Sequence, residues 1–112
     1  MTLEEARQFA LSLPETSEEP HFDKQSYRVN RKIFATVPPD GDHLHIFVEE
    51  ADVHAAVAEN PAAFEELCWG KKMAGVRVTL SKTDAPLVLE LLEDSWRMRA
   101  PKKLAEEFTR NP

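Results

Sequence analysis

The sequence predicts an α+β domain, a single two-layer unit in which one antiparallel sheet carries its helices on one face. Three observations predict it. Thr2, followed three residues later by Glu5, is a capping box that opens an amphipathic N-terminal helix. Short β-favouring runs, several of period two and punctuated by turn residues, fill the middle of the chain. Near the other end Leu87, Leu91, Leu92 and Trp96 form an apolar stripe of helical period.

In chain order, Leu3, Ala6, Phe9, Ala10 and Leu13 give the first helix one apolar face, and Pro14 ends it. Glu15 to Pro20 is polar and rich in turn formers, and reads as a surface loop. Ser26-Tyr27-Arg28-Val29 reads as a strand, Asn30-Arg31 as a tight turn, and Lys32 to Val37 as the next strand. Pro38-Pro39-Asp40-Gly41-Asp42 is a strong turn. Leu44, Ile46 and Val48 then alternate with His43, His45 and Phe47, a third strand of an antiparallel meander.

Asp52 is placed to cap a short helix through Ala58, and Asn60-Pro61 breaks it. Pro61 suits a first helical position, so Ala62 to Cys68 is expected to form a second short helix. Val76, Val78 and Leu80 alternate with Arg77 and Thr79 as a further strand, which Met73-Ala74-Gly75 either extends or turns into. Ser81 to Asp84 offers capping side chains for a long helix running to about Arg99. Ala100-Pro101 interrupts it, Leu104, Ala105 and Phe108 suggest a last short helix, and Arg110-Asn111-Pro112 reads as a frayed end. The expected order is α-β-β-β-α-α-β-α, one domain over residues 1–112. The sheet face away from the helices is then left solvated or free to bind.

At 112 residues, with 42% hydrophobic and 30% charged residues, the chain has the size and composition of one globular domain. A single cysteine, Cys68, excludes an intrachain disulfide and a cysteine-rich metal site. The acidic start lacks the pattern of a secretory signal, and no apolar run approaches the roughly 20 residues of a membrane span. The expectation is a cytoplasmic protein that does not engage a membrane.

The net charge of −6 argues against a polyanionic partner, but the charges are segregated along the chain. Residues 40–67 hold eight acids and no lysine or arginine. Three stretches are basic: Lys24, Arg28, Arg31 and Lys32; Lys71, Lys72, Arg77 and Lys82; and Arg97, Arg99, Lys102 and Lys103. A domain this size has a radius of gyration of roughly 13 Å, against a Debye length of about 8 Å in cellular salt. Distant acids are thus largely screened, and a basic face can act locally if the three stretches meet in space.

The stretches Glu19-Pro20-His21-Phe22, Tyr27-Arg28-Val29 and Lys32-Ile33-Phe34-Ala35, together with Ser95-Trp96-Arg97 and Ala100-Pro101-Lys102-Lys103-Leu104, resemble the MmcQ/YjbR-like family. The resemblance covers nearly the whole chain. It implies a compact α/β domain of frataxin-like (CyaY-like) or secretion-chaperone-like topology, in a family whose members are commonly labelled DNA-binding. It supplies no catalytic residues and implies no metal.

Other side chains receive plainer readings. His43 and His45 share a strand face but lack a clear third ligand, and read as a surface pair. His21 reads as a loop anchor and His54 as a helix-surface residue. Cys68 reads as a packed structural cysteine, Met73 and Met98 as core fillers, and Trp96 as core. The acids from Asp40 to Glu66 read as a solvated surface whose spacing matches no calcium loop.

The expected function is therefore that of a non-enzymatic binding module without cofactor or metal. Its candidate phosphate-contacting residues are Arg28, Arg31, Lys32, Lys71, Lys72 and Arg77, with DNA as partner. Tyr27 and Trp69 lie beside them, either stacking on bases or sitting in the core. The rival expectation is a protein–protein or chaperone-like domain that meets a basic partner or pairs with a second copy through its sheet, as a monomer or weak homodimer.

Overall fold

The computed structural model describes residues 1–110, so Asn111 and Pro112 of the expected frayed end lie outside the described residues. Helix α1 (Leu3–Ser12) is followed by four strands, β1 (Thr16–His21), β2 (Lys24–Val29), β3 (Lys32–Val37) and β4 (His43–Ile46). Helix α2 (Glu50–Glu59), strands β5 (Phe64–Trp69) and β6 (Lys72–Thr79), a single 3-10 turn at Leu80–Lys82, and helices α3 (Ala85–Arg99) and α4 (Lys102–Arg110) complete the fold. The strands form one six-stranded sheet in the order β1-β2-β3-β4-β6-β5, antiparallel at every pairing. The class is the expected α+β.

Local chemistry sets several of these elements. The capping box forms: Glu5 N–H donates to Thr2 Oγ1 at 3.1 Å and Thr2 N–H to Glu5 Oε1 at 2.9 Å. Asn30 and Arg31 both adopt positive φ, the conformation of a two-residue type I′ hairpin turn. The register puts Tyr27, Ala35, Ile46 and Val76 in one row across the sheet, and Leu44, Val78 and Phe64 in the next. All seven are buried against the helical layer. There α3 packs on β2, β3 and β4, α2 on β5 and β6, and α1 on β1 and α3. Trp96, fully buried, donates its indole N–H to Pro14 O at 3.1 Å and ties α3 to the α1–β1 link.

Two segments depart from expectation. The polar stretch expected as a loop is the edge strand β1, paired residue for residue with β2 from Thr16↔Val29 to His21↔Lys24. An edge strand needs no apolar face, and Pro20 is tolerated there because one side of the strand has no neighbour to donate to. The segment expected as a second helix is β5. Ala62 to Cys68 is rich in helix formers, but Phe64 is buried and the chain pairs with β6 from Phe64↔Val78 to Trp69↔Lys72. Tertiary pairing overrides local propensity here. Helix α2 also starts earlier than expected, at Glu50, with Glu49 rather than Asp52 in the cap position. Two side chains expected inside are exposed, Cys68 on β5 and Met98 at 45% exposure, and Trp69, expected either to stack or to sit in the core, stands 62% exposed.

The middle of the sheet is split at one end. Strand β4 stops at Ile46, opposite Ala35 and Val76, so residues 32–34 of β3 and 72–75 of β6 have no strand between them. The chain leaves over Gly75, where a Cβ would lie 2.1 Å from Ile46 O and 2.9 Å from Phe47 Cα. Only glycine permits that approach. The buried Ser95 hydroxyl sits 2.7 Å from Phe34 O and 2.6 Å from Phe47 O, and the Arg99 guanidinium donates to Ile33 O at 3.2 Å and to Phe47 O at 3.2 Å. Phe34 O also accepts the Phe47 N–H at 3.1 Å, so the two side chains tie α3 to the start of β3 and to the chain leaving β4.

Gly75→Ala forces backbone against backbone and is expected to destabilise the fold by at least about 2 kcal/mol. Ser95→Ala, which removes a buried hydroxyl whose one proton is shared between two carbonyls that keep other donors, is expected to cost about 0.5–1.5 kcal/mol. Urea unfolding of both variants checks this, and wild-type midpoints would contradict the account of the split.

Candidate binding surface on the uncovered sheet face

Strands β3 and β6 both run antiparallel to β4, so both begin at the same end of the sheet. The β2–β3 turn carries Arg31 and Lys32, and the β5–β6 turn carries Lys71 and Lys72. The two hairpin tips therefore stand at one end, on either side of the split, and all four cations are exposed. The C-terminus of α3 arrives at that end too, because Arg99 is bonded to Ile33 O near the start of β3. Parts of the three basic stretches thus lie at one end, while Lys24 at the start of β2 and Lys82 after β6 lie at the other. Glu49 and Glu50 at the start of α2 leave from the same end, but α2 lies on the helix-covered face.

The other two candidate cations are engaged differently. Arg28 lies on the uncovered face and donates to Ser26 Oγ at 3.0 Å and Pro20 O at 3.4 Å. Arg77, on the same face, is 3.3 Å from Glu65 and 3.9 Å from Asp40. A phosphate at Arg77 would compete with two carboxylates. Arg97 in the third basic stretch is turned to α4: it bonds Glu93, Ala105 O and Thr109, with its guanidinium 5.3 Å from the Phe108 ring centroid. Tyr27 is core, and burial raises its phenol well above the usual range.

From the split toward the β1–β2 turn the uncovered face sinks into a cleft of 580 Å³. Its floor includes Thr36, His45 and Met73 from the strands, and Phe47 and Val48 where the chain departs from β4. Its walls include Lys24, Lys72 and Arg99, with Phe22 and Trp69. No aspartate or glutamate lines it, although Lys24 has exposed Asp23 at 3.3 Å. Phe47 and Trp69 rings are 5.3 Å apart, and His21 and Phe22 rings 4.7 Å.

The histidine pair is divided by its neighbours. His43 Nδ1 lies 2.9 Å from Asp40 Oδ2, while the other Asp40 oxygen accepts the backbone N–H of Asp42 and His43. The Asp42 N–H bond leads the effects that hold the Asp40 carboxyl below its usual range. His45 Nε2 lies 3.5 Å from an Arg77 nitrogen. Among the described residues no group of three or more histidine, cysteine or acidic side chains is arranged to hold a metal. No helix among them is long and apolar enough to cross a membrane.

Comparison with known proteins fits this architecture. The YjbR family model matches residues 11–98. The chain belongs to the YjbR family. A solved structure, protein DR2400 of Deinococcus radiodurans with the family-model domain DUF419, superposes with a TM-score of 0.75 at 20% identity, over 96% of this chain and 88% of that one. At that identity the likeness is one of fold. No curated protein matches. YjbR membership brings no assigned chemistry, so the site is argued from this chain's own residues.

Sequence reasoning singled out the hairpin cations but missed the cleft of this YjbR domain. Lys24, Phe47 and Arg99 are ordinary residues in sequence, and the split that brings them together depends on Gly75 and Ser95, neither of which carries a local signal. The one legible hint is Trp69-Gly70-Lys71-Lys72, an aromatic beside a turn glycine and two cations.

His45 gives a testable pH dependence. Burial, then the charges of Arg77, Lys24 and His43, push its imidazole below the usual range, with Asp40 opposing. The unfolded chain takes up the proton near pH 6.5, whereas the folded protein resists it to lower pH. The stability contribution is thus complete above about pH 6.5 and is lost as pH falls through the lowered folded value. Urea unfolding at several pH values between 7.5 and 5 is expected to show a smaller acid loss for His45→Gln than for wild type, and equal losses would refute the assignment.

Proposed function

We propose that this YjbR-family chain is a non-enzymatic binding module that grips the phosphate backbone of DNA across the basic end of its sheet. The observation that carries the reading is the placement of Arg31, Lys32, Lys71 and Lys72 on two hairpin tips at one end, exposed and beside a face the helices leave open. Lysines and arginines so placed meet phosphates without reading bases. The net charge of −6 does not oppose this. The Cα radius of gyration is 13.2 Å, larger than a Debye length of about 8 Å, and the Asp40–Asp42 loop joins β3 to β4 at the opposite end. Arg28 and Arg77 take a lesser part, since both already have protein partners.

Several serine hydroxyls are occupied structurally, which supports a binding role over catalysis. Ser26 donates to Glu19 O, Ser81 to Asp42, and the single Ser95 proton is shared between the Phe34 and Phe47 carbonyls. The rival reading, a partner or second copy added at a sheet edge, has to contend with Pro20 on β1 and with a bulge at Leu67/Cys68 on β5. The DNA reading is therefore preferred.

Titration against a short duplex at several salt concentrations tests it. Four phosphate contacts give a slope of log affinity against log salt of about −3 to −4. Lys71→Glu with Lys72→Glu is expected to weaken binding at least tenfold and to shallow the slope by about two. Absence of binding at low salt, or indifference to the double reversal, would remove this function.

A further inference from the structure

We propose that the cleft on the uncovered face is a binding site for a small organic anion with a flat apolar body, its carboxylate or phosphate met by Arg99, Lys72 and Lys24 and its ring by Trp69 and Phe22. This is a separate site from the phosphate-gripping hairpin tips, sharing only Lys72 with them.

Four independent features converge there. The first is exposed apolar surface. The large hydrophobic side chains that stand exposed among the described residues are Phe22 at 93%, Trp69 at 62% and Met98 at 45%, and all three line this one cleft. They come from the β1–β2 turn, the β5–β6 hairpin and the end of α3. A fold that buries its other large hydrophobic side chains leaves such groups out together where something covers them.

The second is strain. Phe22 has φ +58, a left-handed conformation unusual for an aromatic residue. The conformation holds an almost fully exposed ring at the mouth of the cleft. Strain of this kind collects at ligand clamps.

The third is charge. In a chain with 20 acids and 14 lysines and arginines, the cleft lining has three permanent cations and no carboxylate. Arg99 is the informative one. Its Nε and one terminal nitrogen are held by carbonyls of Ile33 and Phe47, which orient the guanidinium without neutralising it. Burial lowers its proton affinity, as expected for a cation that has lost water. An arriving carboxylate or phosphate supplies the missing counter-charge, and guanidinium geometry suits both.

The fourth is size and shape. At 580 Å³ the cleft falls within the roughly 300–1,000 Å³ of small-molecule sites, mostly apolar with a few convergent polar groups. Aromatic rings on two sides, Phe22 from one hairpin and Trp69 from another, favour a flat body over a flexible chain. The exposed Arg31 and Lys71 do not line it, so a polyanion on the hairpin tips need not enter it.

The test uses the folded full-length chain and 8-anilinonaphthalene-1-sulfonate, a flat aromatic anion, followed by its fluorescence and by quenching of Trp69. Saturable binding is expected, at least tenfold tighter than that of the uncharged N-phenyl-1-naphthylamine. Trp69→Ala is expected to weaken binding at least tenfold, and Phe22→Gly and Lys24→Glu at least threefold each, with circular dichroism unchanged. None of these three positions belongs to the proposed phosphate contacts, so DNA affinity should survive Trp69→Ala and Phe22→Gly while the probe is lost. Should Trp69→Ala unfold, Phe22→Gly carries the test, because that side chain is almost fully in solvent. Displacement of the probe by indole-3-carboxylate or by phenyl phosphate would support the site and tell which acid it prefers. Equal affinity for the charged and uncharged probes, indifference to the substitutions, or displacement by a single-stranded oligonucleotide but by neither small acid would overturn it.

Discussion

The split in the uncovered sheet face depends on how α3 supplies donors to the carbonyls of Phe34, Phe47 and Ile33. A short central strand is a difficult element to build. Where β4 stops, β3 and β6 each keep their outer strand neighbour and Phe34 O still accepts the Phe47 N–H, but the ladder between them ends, and any buried backbone group left unmet there is costly. Ser95 and Arg99, one helical turn apart on α3, answer that cost with a hydroxyl and a guanidinium. Because the acceptors are neutral carbonyls and not carboxylates, the repair leaves a net positive charge at the floor of the gap. The same contacts that hold the sheet together thus give the cleft its sign.

The charge layout follows the same geometry. An acidic chain can present a cationic surface only if its acids are placed elsewhere or paired. Here Asp40 and Asp42 are engaged in the β3–β4 loop by His43, backbone N–H groups and Ser81, and Glu65 is paired with Arg77. The antiparallel order puts the two basic hairpin tips together by parity. Two strands flanking a third must begin at the same end, so Arg31-Lys32 and Lys71-Lys72 cannot be on opposite sides of the molecule. Exposed ion pairs add little stability, so this arrangement bears on what the surface can hold more than on how firmly the chain folds.

Much of this was legible in the residues. The capping box, the Asn30-Arg31 turn, the Pro38–Asp42 turn and the Leu87–Trp96 stripe each act through neighbours close in sequence, and each forms as local chemistry dictates. Strands β1 and β5 were not legible for two different reasons. β1 is polar because it lies at the sheet edge, and an edge position is a property of the whole topology. β5 is made of helix formers, and only its pairing with β6 makes it a strand. Missing β5 also misplaced Cys68 and Trp69, which were read near a helix end and stand on an exposed edge. The cleft was invisible because its residues come from all six strands, the β1–β2 turn and α3, and meet only in the folded sheet.

Glu15 with its positive φ and the unpartnered buried Thr16 Oγ1 break local rules at the α1–β1 link, but a larger group of such residues lies together around the cleft. Phe22 holds a left-handed backbone with a bare ring, Trp69 stands in solvent, Arg99 is half-buried without a carboxylate, and Gly75 gives up a side chain in mid-strand. The left-handed Phe22 and the two exposed rings lower stability by a modest amount, and selection for stability alone would remove them, whereas Arg99 and Gly75 hold the split in place. Their gathering around one acid-free hollow is what distinguishes a used surface from a neglected one, since consistent sequences violate their own rules where function requires it. Gly75 shows the logic most plainly. A Cβ there would run into Ile46 O and Phe47 Cα, at the point where the chain leaves β4 beside the hollow that the aromatic and cationic side chains surround.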